Sequence, residues 1–225
     1  MNYCPYCGSE LPKDFAFCPF CGKSLKAKEN PVCNAEEKAS ETLVEKDDDK
    51  AKKYHFENME EFVLFTQVYP QEDKVIWVSE EKYLEKFQEG FTLIEEGKNQ
   101  EAIIVLEEAL KLNPIGIKAR FEICEAYLKM QDLNSAQNVL LDLKPMLVNR
   151  SSIARFYRRY GFIETERAHY KEAAACYMYS AKFESHPSVI QELLYIQQVS
   201  GKKIKGDPEK VLKKSGIPLI PVPTE

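Results

Sequence analysis

The sequence predicts a mostly α-helical protein: a solenoid of helical hairpins with a small N-terminal cysteine module on a flexible linker. Three observations carry this. Residues 83–114, YLEKFQEGFTLIEEGKNQEAIIVLEEALKLNP, read as two amphipathic helices joined by a short turn and stopped at Asn-Pro. The spacing of the small residues in this stretch returns further along the chain. Cys4, Cys7, Cys18 and Cys21 form two C-x-x-C pairs near the N-terminus.

Composition sets the bounds. The 225 residues carry 31 basic and 36 acidic side chains, a net charge of −5, which gives no global attraction for nucleic acid. No uncharged run approaches the roughly 18–20 residues of a membrane helix. The opening MNYCPYCG is not a basic-then-apolar leader. A cytoplasmic protein with no membrane insertion is expected, and thiols there stay reduced. The seven cysteines therefore read as metal ligands or buried thiols before disulfides.

In residues 1–25 each C-x-x-C is followed by glycine, Gly8 and Gly22, and ten residues separate the pairs. Such a turn aims two sulfurs at one point, with glycine supplying the permissive backbone. Two turns give four thiolates, a donor set that suits one tetrahedral Zn2+ and leaves no open position for water or substrate. A segment this short needs the metal to fold. The arm between the pairs, with Phe15 and Phe17, has room for a short hairpin. The doubled CPxCG with its LP…FAFC arm, residues 3–25, resembles the zinc-ribbon module at the N-terminus of many bacterial proteins. Rubredoxins share the C-P-x-C-G knuckle with iron but have much longer arms. A thiol–disulfide switch is the remaining rival. Lys13 and Lys23 stand against Glu10, Asp14 and a thiolate-rich centre, which favours a protein-contact or folding module over a phosphate-binding one.

Residues 26–53 carry seven lysines and eight acids with few apolar side chains, so a disordered charged linker is expected. Cys33 within it reads as a free thiol. Residues 54–80 are apolar again and form an adapter segment. Two β-prone runs, 62–65 and 75–78, flank Tyr69-Pro70; the first reads either as a strand or as the end of a helix begun near Asn58. His55 receives no role.

Residues 81–185 hold about three repeats. Gly90, Ala102, Leu106 and Ala109 return 34 residues later as Cys124, Ala136, Leu140 and Leu143, then, after a three-residue insertion, as Gly161, Ala173, Tyr177 and Ser180. Small residues let antiparallel helices approach closely, Gly97-Lys98-Asn99 makes the turn, and Pro114 separates the units. A 34-residue period with small residues at the helix crossing resembles the tetratricopeptide repeat. Lys86, Glu89 and Val148 depart from its usual pattern. Cys124 and Cys176 read as small buried side chains.

The resemblance implies a concave face lined by the first helix of each repeat and used for protein or peptide partners. Its register places Leu84, Phe87, Phe91 and Ile94 there, then Lys118, Phe121, Glu125 and Leu128, then Arg155, Arg158, Phe162 and Glu166. The apolar first third favours self-covering by the adapter and Trp77. The expected partner-binding residues are Phe121, Glu125, Arg155, Arg158, Arg159 and Phe162; the competing reading pairs the arginines with Glu164 and Glu166. Chaperone-binding repeats clamp a terminal carboxylate with lysine and asparagine, where this chain has Phe87 and Phe91.

Residues 186–225 form a capping helix at 187–200, a short helix capped by Asp207 and Gly216, and an extended proline-containing tail whose apolar content favours lying on the solenoid. No phosphate-cradling loop, nucleophile–base pair or open metal site is legible. The sequence thus points to a non-catalytic scaffold, a structural zinc module tethered to a partner-binding solenoid; a nucleic-acid-associated regulator using the ribbon is the alternative.

Overall fold

The computed structural model describes residues 2–3, 10–11, 51–72 and 74–222. The chain divides into two compact units, Met1–Ala51 and Lys52–Glu225. In the first, β1 (Asn2–Tyr3) pairs antiparallel with β2 (Glu10–Leu11), Asn2 opposite Leu11. Cys4 and Cys7 fall between these strands in sequence. The Phe15–Phe17 arm and the linker expected up to residue 50 lie outside the described residues.

The second unit is helical. After β3 (Lys52–Tyr54), α1 (Met59–Val68) and β4 (Val75–Trp77), eight more α-helices follow among the described residues: α2 (Glu81–Glu95), α3 (Asn99–Leu112), α4 (Ile117–Lys129), α5 (Leu133–Leu143), α6 (Arg150–Glu166), α7 (Tyr170–Ser180), α8 (Pro187–Ser200) and α9 (Pro208–Ser215). Helices α2–α3, α4–α5 and α6–α7 pack as three successive hairpins.

Each hairpin closes at the same register position. A methyl group added at Gly90 would lie 2.5 Å from Leu106 Cγ, and one at Gly161 would lie 3.0 Å from the Tyr177 ring. In the second repeat Cys124 and Leu140 occupy the equivalent places, both fully buried. Ala102, Ala136 and Ala173 are fully buried one turn earlier in the second helix. The turns repeat as closely. Gly97, Gln131 and Ala168 all have φ between 59 and 79°. Around each, the next residue's N–H reaches back five positions: Lys98 to Leu93 O, Asp132 to Tyr127 O, His169 to Glu164 O, at 2.8–2.9 Å. This is the Schellman termination, which normally uses glycine.

Residues 52–80 decide one open reading and correct one expectation. The run 62–65 is helix, the second of its two readings: Asn58 Oδ1 accepts the Glu61 N–H at 2.9 Å and caps α1, which carries the run through to Val68. The segment also begins earlier than expected, because Lys52–Tyr54 pairs in parallel with Val75–Trp77. Tyr54, Phe56, Phe62, Phe65 and Tyr69 make a ring cluster in which Trp77 stacks on Phe62 and donates its indole N–H to Phe56 O at 2.9 Å.

That cluster does not cover the apolar concave residues of the first repeat. It packs on Ile115 and Ile117, between the first two repeats, and on Met146, between the second and third; Leu84 stays 39% exposed. Buried Asn113 ties the junction: its Nδ2 donates to Glu61 at 2.7 Å while its Oδ1 accepts from the N–H groups of Ile115 and Gly116. Burial, opposed by bonds from the Glu57 N–H and Asn113, pushes the Glu61 carboxyl above its ordinary pKa. Met146 belongs to a 3-10 turn, Lys144–Met146, at the position of the three-residue insertion.

The tail lies on the solenoid. Tyr157 OH donates to Pro218 O and accepts the Ile220 N–H, both at 2.8 Å, and Tyr179 OH donates to Ile220 O at 2.7 Å. Leu212 and Ile217 join the core cluster of the second and third repeats. Asp207 and Gly216 bound α9 as the sequence indicates.

Gln131 and Ala168 hold a left-handed backbone without being glycine. Gln131→Gly and Ala168→Gly should each raise the unfolding free energy by about 0.5–1 kcal/mol, and Gly97→Ala should lower it by about 1 kcal/mol, in urea titrations. Truncating the tail hydroxyls by Tyr157→Phe or Tyr179→Phe should cost about 1 kcal/mol each and speed proteolysis after residue 216.

Candidate functional site

The residues expected to meet a partner are brought together on one face of α4 and α6, but most already have partners within the chain. Helix α6 runs 17 residues from its Asn149 cap, whose Oδ1 accepts the Ser152 N–H at 2.8 Å. Its length places Arg155, Arg158, Arg159 and Phe162 along adjoining turns. Phe121 on α4 is only 2% exposed: it belongs to the core of the second and third repeats, and the Arg155 guanidinium lies over its ring, 4.5 Å from the centroid. Arg155 then donates to Glu122 at 2.8 Å. Arg159 stands 2.7 Å from Glu125, an ion pair without hydrogen-bond alignment. Arg158 donates to Glu184, beyond the end of α7, at 3.1 Å.

The competing expectation that Glu164 and Glu166 neutralise these arginines is therefore corrected. Glu164 is buried and turns the other way, accepting from Arg167 at 3.3 Å and contacting His169 Nδ1 at 2.7 Å. Arg167 also reaches Gln137 and Asn134 at 2.7 and 2.8 Å, so this set ties the second repeat to the third. The 34-residue spacing did not mark it: Asn134 stands where the first repeat has Gln100, and Gln137 where it has Ile103.

Between α6 and the start of α8 a groove of about 340 Å³ remains. Arg158, Arg159 and Phe162 form one wall, and His186, Ser188 and Glu192 the other. Three guanidinium groups, their three paired carboxylates and Glu192 make this face rich in charge of both signs. Of the three paired carboxylates, Glu184 is the most exposed, at 38%, while Arg158 itself is the least exposed of the arginines, at 16%.

Cys124 and Cys176 are fully buried free thiols; burial pushes Cys124 up to about 12 and Cys176 well above its ordinary value, so neither is a nucleophile at neutral pH. Among the described residues no group of three or more His, Cys, Asp or Glu could hold a metal, and no helix is long and apolar enough to cross a membrane. Cys4, Cys7, Cys18 and Cys21 lie outside the described residues. Their chemistry, four thiolates with no imidazole or carboxylate in the set, fits zinc.

The architecture defines a class, a helical-hairpin repeat protein with an N-terminal cysteine module. Comparison with family models makes both parts specific: residues 93–160 match the tetratricopeptide repeat and residues 3–25 match the zinc-ribbon domain. Among solved structures, the first TPR of Spaghetti (RPAP3), bound to the HSP90 peptide SRMEEVD, is similar at 21% identity, with 56% of this chain and 98% of that chain covered and a TM-score of 0.48. No curated protein matches the chain.

Phe121→Ala should cost about 3–5 kcal/mol in a urea titration, because the ring is core, whereas Arg158→Ala should cost under about 1 kcal/mol, its partner being well exposed. Arg158 is thus the cleaner probe of binding.

Proposed function

We propose that this protein is a non-catalytic scaffold in the cytoplasm: a zinc ribbon holding one structural Zn2+ on Cys4, Cys7, Cys18 and Cys21, tethered to a tetratricopeptide-repeat solenoid that recruits a protein or peptide partner. The observation that supports it best is the groove beside α6, where Arg155, Arg158, Arg159 and Phe162 adjoin an open space between two first helices of the solenoid. The partner segment carries an acidic group that displaces Glu184 from Arg158 and an apolar group that meets Phe162. Phe121 and Glu125 act beneath this surface, holding Arg155 and Arg159 in place. The four-thiolate set supports a structural role for the metal, since it leaves no ligand position for chemistry. The absence of clustered lysine and arginine around the ribbon cysteines weighs against a nucleic-acid role for it.

Affinity capture with the full chain tests the groove. Arg158→Glu and Arg155→Glu should each lose the captured partner while retaining the far-UV helical signal; an unchanged set of partners removes this face from the model. Metal analysis should find one zinc per chain, with Cys4→Ser losing it; a native metal-free protein would overturn the ribbon assignment.

A further inference from the structure

The fourth repeat begins but does not close. Asn149 caps α6 and His186 caps α8, 37 residues later; His169 caps α7 and Asp207 caps α9, 38 residues later. By register, α8 and α9 are the first and second helices of a fourth hairpin. In the first three hairpins the two helices pack directly on each other. Here α9 packs on α7 instead and scarcely touches α8. Its Leu212 is drawn into the core of the preceding repeats, and the tail that follows is bound by Tyr157 and Tyr179.

The space between α8 and α9 is a half-open pocket of about 670 Å³. Its apolar surface comes from Ala174 and Met178 of α7, Ile196 and Val199 of α8, Ile204 of the connection and Val211 of α9. Val199 is 41% exposed. The rim is cationic, with Lys171 on one side and Lys202, Lys203 and Lys205 on the other. None of these four lysines makes an ion pair with any described residue. Glu172, which accepts from Ser215 at 3.4 Å, is the one carboxylate in the lining, and His169 stands at its edge.

We propose that this gap is a second docking site, distinct from the groove beside α6, for a short peptide segment of a partner protein that presents apolar side chains flanked by aspartate or glutamate. Val199 and the half-buried Met178, Ile204 and Val211 leave apolar surface at the opening above a buried floor of Ala174 and Ile196, and a volume of this size takes a few bulky side chains. Lysines on both sides of the opening fit acidic groups spread along a peptide rather than one head group. The guest completes the hairpin that α9 leaves unfinished.

The test uses the full chain and a fluorescein-labelled peptide of alternating leucine and glutamate pairs, followed by anisotropy. Saturable binding is expected, weakened tenfold or more by Val199→Glu and by the double variant Lys202→Glu/Lys203→Glu, all at exposed positions, with unchanged thermal unfolding. The peptide with lysine in place of glutamate should not bind. Arg158→Glu should bind the acidic peptide normally, which separates this site from the groove beside α6. No saturable binding at millimolar peptide, or binding that both pocket variants retain, overturns the proposal. Displacement of bound peptide by an excess of dodecanoate supports the shared pocket; saturation by dodecanoate with no peptide binding overturns the peptide assignment.

Discussion

Everything in the second unit rests on one close approach repeated three times: a bulky side chain of the second helix seated over a residue with little or no side chain in the first. Leu106 over Gly90 and Tyr177 over Gly161 set the helix separation, and Leu140 with Cys124 does the same between them. Because that distance is fixed by contact, each hairpin presents its neighbours with a surface of defined shape, and stacking follows. Tyr177 is larger than Leu106, yet it fits over a glycine all the same. The ring lies flat where a branched side chain stands upright, so one register serves two shapes.

Sequence periodicity made the hairpins readable because small residues at a helix crossing recur at fixed distances, and a distance along the chain survives folding. It also revealed the turns, although only Gly97 advertised its left-handed backbone; Gln131 and Ala168 adopt the same conformation because the hydrogen bonds around them are the same. Segments organised by contact with distant parts were less legible. The strand Lys52–Tyr54 looks like charged linker, since its partner stands past α1 and its burial is slight. The adapter's seat on Ile115 and Met146, rather than over Phe87 and Phe91, depends on where an insertion placed a methionine.

The arginine face shows the same limit. Helical spacing put Arg155, Arg158 and Arg159 on adjoining turns, and that much was visible from the sequence. Which carboxylates face them was not: Glu122 and Glu125 come from the helix of the preceding repeat, and Glu184 from beyond the next one. A local search for acids on the same helix found Glu164, whose carboxylate instead joins the second repeat to the third through Arg167, Gln137 and Asn134. Ion pairs between repeats follow the solenoid's geometry, and a spacing rule within one helix does not reach them.

The aromatic cluster around Phe56 touches the chain at two successive repeat junctions, through Ile115 and Ile117 at one and Met146 at the other. A solenoid flexes by small rotations at such junctions. A rigid body wedged into both of them fixes their relative angle, much as a splint crosses two joints. The first two junctions should then behave as a stiff lever, and bending under load should concentrate at the last junction, where α8 meets α7 and the helical pair is incomplete.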